Sequence, residues 1–289
     1  MGFLDGLKKF GLGALEDEEL YEDPKKKVAA KKEEPKKAPV VINEETLLFD
    51  KGYTCPICEA KFNVKTLRSG KVRMKSQDVD LRPVYDEMDP SKYEIVTCPE
   101  CGYSVMARYF GNLTKFQIDE VKSKISANYK KQQFSETTYT YEEARMRYEL
   151  AIATAMVKKS KNSEKAYLCL KMAWLIRGET EHLDPAAPDY EAKKKKNEAE
   201  EKELLKKALD GFVIARQSET QIAGMDATTT DYLMAAIAME VEDFDLANRM
   251  ISNIIGSRVA NSRIKEKAKD LKDLVAEAKK KAEAAAPAE

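Results

Sequence analysis

Residues 55–58 read Cys-Pro-Ile-Cys and residues 98–102 read Cys-Pro-Glu-Cys-Gly, and the architecture of the N-terminal half turns on these two stretches. Two thiols three residues apart can reach one ion from a single tight turn, whose backbone amides soften the charge on sulfur. Glycine after the second cysteine relieves strained backbone there, so Gly102 completes the second turn. Glu59 stands at the matching place in the first. Cys55, Cys58, Cys98 and Cys101 therefore predict one tetrahedral zinc ion held by four thiolates. Four thiolates fill four positions and leave none for water or substrate, so the ion is read as structural. The 39 residues between the pairs (59–97) exceed the about 15–20 of a compact ribbon. The excess predicts an inserted hairpin or loop at about 62–96, pinned by the metal at both ends. Redox use of the pairs would call for a strand-to-helix turn in a βαβ setting, which the flanking sequence lacks.

From about residue 114 the apolar spacing becomes helical. Ile118, Val121, Ile125 and Tyr129 recur every three or four residues. Thr140 followed by Glu143 is a capping-box start, and behind it Ala144, Tyr148, Ala151, Ala155 and Met156 form a stripe. Ala166, Tyr167, Leu170, Ala173 and Trp174 form the next, which Gly178 is predicted to end as a left-handed cap. Further helices are predicted at about 197–218, 230–241, 244–256 and 261–281, with a polar excursion over 178–200. Short loops between most of them imply antiparallel neighbours. Within YLMAAIAMEVEDFDLANRMI (232–251), Glu242, Asp243, Phe244 and Ala247 resemble the turn and second helix of a tetratricopeptide repeat, with Ala235 at its small position. No large aromatic anchors the first helix and no proline closes the unit, so a generic helical hairpin fits equally.

The expected class is thus α+β, mostly α. A small zinc-ribbon β domain with an inserted hairpin (50–112) precedes an antiparallel helical-hairpin, tetratricopeptide-like array (114–283). Residues 16–45, rich in Lys, Glu and Pro, cannot bury enough apolar surface to offset their ordering entropy and predict a disordered linker. A short disordered tail is predicted at 284–289. Ahead of the linker, residues 1–15 are amphipathic: Phe3, Leu4, Leu7 and Phe10 share one helical face, with Asp5, Lys8 and Lys9 opposite. Such a segment can lie on an anionic membrane surface or dock on a partner, although Gly6, Gly11 and Gly13 oppose a stable helix in water.

The chain of 289 residues carries fifty basic and fifty acidic side chains, a balance that argues against a protein dominated by phosphate binding. No apolar run approaches the roughly 20 residues of a membrane span, and no secretory signal is visible. Four of five cysteines fall in the two pairs, which with no export signal reads as metal binding in a reducing cytoplasm. Lys61, Lys65, Arg68, Lys71, Arg73 and Lys75 cluster without an intervening acid and could contact nucleic acid. The acids that follow, Asp78, Asp80, Asp86, Glu87 and Asp89, could equally neutralise them. Asp78 and Asp80 would share one strand face, as paired carboxylates for a second metal or acid–base work do; pairing with Arg82 is the plainer reading. His182 is the only histidine, and Cys169 and Trp174 read as core.

The order C-P-I-C-x-x-x-F (55–62), Asp78-x-Asp80, Tyr85, Pro90, Tyr93 and C-P-E-C-G-Y (98–103), with LKMAWLIRGE at 170–179, resembles an uncharacterised bacterial family, domain of unknown function family 2225. The resemblance spans roughly residues 50–255 and implies a bacterial cytoplasmic protein with a zinc-ribbon-like start and a helical remainder. It brings no activity, so no catalytic residue carries over. The function expected is a cytoplasmic, non-enzymatic adaptor that binds a protein partner through its helices, with peripheral contact at the inner face of the membrane through 1–15. The alternatives are a nucleic-acid-associated ribbon protein using 61–75 and an enzyme using Asp78 and Asp80.

Overall fold

In the computed structural model, which describes residues 43–111 and 113–285, the chain enters through a capped turn. Asn43 accepts a hydrogen bond from the amide of Glu45 (3.1 Å) and starts a 3-10 turn at Glu44–Leu47. Folded structure therefore begins within the last residues of the linker expected at 16–45. The amphipathic stretch with Phe3, Leu4, Leu7 and Phe10, the linker up to 42 and the tail beyond 285 lie outside the described residues.

Three antiparallel hairpins follow, each its own two-stranded sheet: β1 (Leu48–Thr54) with β2 (Lys61–Leu67), β3 (Met74–Gln77) with β4 (Pro83–Tyr85), and β5 (Ile95–Thr97) with β6 (Ser104–Met106). The β1–β2 register runs from Leu48↔Leu67 to Thr54↔Lys61. β3–β4 is the insertion that the long cysteine spacing implied. A lone two-stranded hairpin is marginal in water and needs backing. β5–β6 finds it on α2 (Tyr141–Val157), so all six of its residues are buried.

Before α2 comes a short helix, α1 (Lys115–Val121), started by a Thr114–Gln117 capping box and running into a π turn at Lys122–Ser126. The Thr140–Glu143 capping box at the start of α2 closes in both directions, at 3.1 and 2.9 Å. Then follow α3 (Asn162–Glu181), α4 (Tyr190–Ser218), α5 (Ala227–Glu240), α6 (Phe244–Gly256) and α7 (Ser262–Ala285), and each helix from α2 onward packs against the next. The α5–α6 hairpin turns at Glu242 (φ 68°), Asp243 caps α6, and Ala235 and Ala247 are fully buried where the two helices meet.

Three expectations are corrected. Gly178 does not end α3, which continues to Glu181; the glycine is there because a Cβ would stand 2.4 Å from Asp89 Oδ2. α4 starts at Tyr190, which shortens the polar excursion expected over 178–200 to the loop 182–189. Met156 is 65% exposed, whereas Ala144, Tyr148, Ala151 and Ala155 of its predicted stripe are buried. One residue past Ala155 turns the side chain by about 100° off the buried face.

From Asn43 on, hairpins and helices form one compact unit. Ile95 of β5 and Met106 of β6 belong to the same apolar cluster as Tyr148, Leu175, Phe212 and Ile237 of the helices. Separate smaller clusters back the cysteine turns and the β1–β2 hairpin.

Candidate metal centre

Each cysteine pair occupies the turn of a hairpin. In the first, the Cys55 amide donates to Ala60 O (2.9 Å) and the Glu59 amide to Cys55 O (2.9 Å). The second repeats this geometry, Cys98 N to Tyr103 O (2.9 Å) and Gly102 N to Cys98 O (3.0 Å). Both turns close on a left-handed residue, Glu59 at φ 64° and Gly102 at φ 73°. Glu59 adopts the conformation despite its side chain, at the cost usual for a non-glycine residue. Gly102 answers a second demand, because a Cβ there would lie 2.5 Å from Tyr129 Cδ2.

The two turns bring four sulfurs together. Cys55 and Cys101 stand 3.5 Å apart, Cys58 and Cys98 3.6 Å apart, and all four sulfurs lie within 4.8 Å of one another. These four cysteines could hold a metal ion. All are free thiols; Cys55, Cys98 and Cys101 are buried and Cys58 faces solvent. The Ile57 amide points at Cys55 Sγ (3.4 Å), a dipole that favours thiolate. Contact with Cys101 and Cys98 holds the Cys55 thiol down at about 4, while contact with Cys55 and Cys98, then burial, pushes Cys101 up. Sulfurs this close can all ionise only with a cation between them. The cluster sits on Ile57, Tyr103, Val105, Val121 and Ile125, so whatever fixes the sulfurs also ties two hairpins that share no strand pairing to α1 and its π turn.

The other candidates fall elsewhere. Asp80 is fully buried, and both its oxygens are occupied. Oδ1 accepts from the Arg82 amide (3.3 Å); Oδ2 accepts from Trp174 Nε1 (2.7 Å) and meets Arg177 (3.0 Å). Asp78 pairs with Arg82 (2.6 Å), which also pairs with Glu181. Arg177 continues to Glu201 and Glu240, each at 2.6 Å. Burial, then Asp80, pushes Glu240 up to about 7. Asp78 and Asp80 are thus counter-ions that clamp the inserted hairpin to α3, α4 and α5. The pairing of Asp78 with Arg82 is the plainer of the two readings the sequence offered.

The basic stretch does not form a row of free cations. Lys65 is half-buried and paired with Asp50 (2.9 Å), Arg68 donates to Leu48 O (2.9 Å), and Lys75 pairs with Asp86 (2.6 Å). Lys61, Lys71 and Arg73 are exposed without a partner among the described residues. His182 Nδ1 meets Gly178 O (2.7 Å) and Tyr141 OH (3.2 Å) at the end of α3. Cys169 is half-buried against the main core and Trp174 is buried in it. Three buried cations escaped the sequence reading, among them Lys158, which pairs with Glu164 (2.8 Å). Lys171 pairs with Glu94 (2.6 Å), and Arg147 sits among the buried residues of α2. Spacing offered a signal for Arg147: 144, 147, 148 and 151 form one helical face, and a charge stands on it.

The fold and the cysteine cluster define a mostly helical protein whose N-terminal hairpins carry a four-thiol site able to take a metal. The chain belongs to the family described as "Uncharacterized protein conserved in bacteria (DUF2225)", which matches residues 48–275, from the start of β1 into α7. No curated protein and no solved structure matches the chain.

Proposed function

We propose that this protein is a cytoplasmic, non-enzymatic adaptor whose hairpins are fastened by one structural zinc ion and whose helices receive a protein partner. Zinc fits the donor set. A tetrahedron with bonds of about 2.3 Å has sulfur–sulfur edges of about 3.8 Å, close to the 3.5 Å of Cys55–Cys101 and the 3.6 Å of Cys58–Cys98. Zinc would take its charge balance from thiolates and keep no open position, so it would supply cross-linking rather than chemistry.

The observation that carries the adaptor reading is a groove of about 490 Å³ between the π turn and α2, with Ile125, Tyr129, Met146, Leu150 and Ala153 in its walls and Lys124, Asn128, Lys130, Gln132 and Glu149 around them. Outside the groove, α1 exposes Phe116 (51%) and α2 exposes Met156 (65%). Apolar side chains left open at helical spacing suit the apolar face of a partner helix. Among the described residues no helix is long and apolar enough to cross a membrane. Nucleic acid has less support as the partner, because Lys65, Arg68 and Lys75 already spend their charge or donors within the hairpins.

The test is a photo-crosslinking residue at Leu150, with one at Lys195 on α4 as control. A discrete adduct formed in cells from 150 but not 195, and abolished by Met146→Asp, supports the groove. Equal adducts from both positions, or none from 150, overturn it.

A further inference from the structure

A cleft of about 620 Å³ opens where the 3-10 turn after β6 (Ala107–Tyr109), the first turn of α1, the α2–α3 turn with the start of α3, and the α4–α5 loop meet. Hydrogen bonds tie these walls together. Gln117 Nε2 of α1 donates to Lys158 O (3.1 Å), and Arg108 Nη1 donates to Ala223 O of the α4–α5 loop (3.4 Å). At the start of α3 the Ser163 amide donates to Glu219 Oε1 (3.1 Å). The cleft shares no residue with the groove proposed for a protein partner.

The chain as a whole balances fifty basic against fifty acidic side chains, and the cleft departs from that balance. Its walls carry Arg108, Lys158, Lys159 and Lys161 against one carboxylate, Glu164. Lys158 is buried and paired with Glu164 (2.8 Å). Arg108, Lys159 and Lys161 are exposed, and among the described residues none of them pairs with a carboxylate. Glu219 takes both the amide and the hydroxyl of Ser163. Counted with Glu164, it makes two carboxylates against four cations and leaves two positive charges over. A concave surface whose walls carry one sign of charge focuses its field and draws in ions of the other.

The three open cations differ in freedom. The guanidinium carbon of Arg108 lies 4.7 Å from the ring centroid of Tyr109 and 4.5 Å from that of Tyr167, which fixes the fork before any anion arrives. Lys159 rests its ammonium 5.0 Å from the centroid of Phe116. It and Lys161 stand on flexible four-carbon stems that can turn onto an anion.

We propose that this cleft binds a small phosphorylated ligand, with Arg108, Lys159 and Lys161 meeting the phosphate. The surplus of two charges matches the about −1.5 to −2 that a phosphate monoester carries near neutral pH. A phosphate gathers that charge on one group, where a fixed guanidinium fork and two mobile ammoniums can converge; a dicarboxylate spreads it over two. The volume falls within the about 300–1,000 Å³ of small-molecule sites.

The test follows backbone amide resonances of the full chain with metal bound, titrated with glycerol 3-phosphate at constant ionic strength. Malate serves as a dianion of another chemistry. Saturable shifts are expected in the α2–α3 turn at 158–163 and the α4–α5 loop at 221–224. Lys159→Gln and Lys161→Gln change exposed positions and should each raise the Kd about fivefold. Arg108→Gln should raise it about tenfold, while Lys195→Gln on α4, an exposed lysine far along the chain, leaves it unchanged. Shifts that do not saturate overturn the proposal, as does an equal loss of affinity in Lys195→Gln, which would mean a diffuse field and no site. Malate saturating the same amides at or below the concentration of glycerol 3-phosphate overturns the phosphate assignment. A single-stranded oligonucleotide doing so would assign the cleft to nucleic acid instead.

Discussion

Replacing Asp80 by alanine probes the buried charge network with a reporter already in place. Trp174 is the only tryptophan of the chain, and its indole N–H donates to Asp80 Oδ2 at 2.7 Å. The carboxylate is fully buried and also meets Arg177 (3.0 Å) and the Arg82 amide (3.3 Å). Removing one partner of a buried pair costs about 3–5 kcal/mol, within which an orphaned N–H accounts for about 1–3 kcal/mol. The network returns part of this. Arg177 keeps Glu201 and Glu240, and Glu240, no longer facing Asp80, ionises more readily. A net loss of about 3 kcal/mol is expected, a large fraction of a total stability of about 5–15 kcal/mol. Urea unfolding followed by tryptophan emission reads it directly. With a slope of about 3 kcal/mol per molar, the midpoint should fall by about 1 M. Asp80→Asn keeps an acceptor for Trp174 and should lose about half as much. An alanine variant whose midpoint stays within about 0.2 M of the wild type, with unchanged native emission, would refute the clamp.

The cysteine turns and the pH response give three further expectations. Cys55→Ser should abolish stoichiometric zinc by metal analysis and free the β1–β2 hairpin to limited proteolysis, while circular dichroism keeps most of the helical signal, since the helices share their own core. Gly102→Ala should cost about 2 kcal/mol, because the new methyl meets the Tyr129 ring in a left-handed backbone; Glu59→Gly at the matching position should gain about 0.5–1 kcal/mol, both read by urea titration. The folded state binds the Glu240 proton more tightly than the unfolded chain, at about 7 against 4.5. Its contribution is therefore present in full below about pH 4.5 and is lost as pH rises through about 7, at most of order 3 kcal/mol. Glu240→Gln should flatten the stability profile across that window, and an unchanged slope would count against the burial argument.

Much of the architecture is local and could be read from the residues. The capping box at Thr140 and Glu143 needs only four residues, and it starts α2 as the sequence states. Cys-x-x-Cys turns need only their own amides, so the fourfold thiol grouping was legible even with 39 residues between the pairs. Where the sequence reading failed, the reason lay in a distant neighbour. Gly178 looks like a helix cap along the chain, and only the approach of Asp89, 89 positions earlier, shows why no side chain fits there. Arg82 is a partner the sequence offered for Asp78, but Trp174 and Arg177, more than 90 positions away, are the partners of Asp80 that it did not.

The local devices are legible along the chain: caps, helical stripes, the hairpin insertion and the two cysteine turns. Each is fixed by backbone sterics and hydrogen bonds within a few residues. The tertiary structure decided how charges are spent. Lys65, Lys75, Asp80, Lys171 and Arg177 are matched by partners that no spacing rule could pair, whereas Arg147 is enclosed by Phe134 and Tyr139 and left without an acceptor. Periodicity tells which face of a helix is buried. Whether a charge on that face is neutralised or stacked depends on what folds back against it, because desolvation and Coulomb energies are set by distance in space and not along the chain.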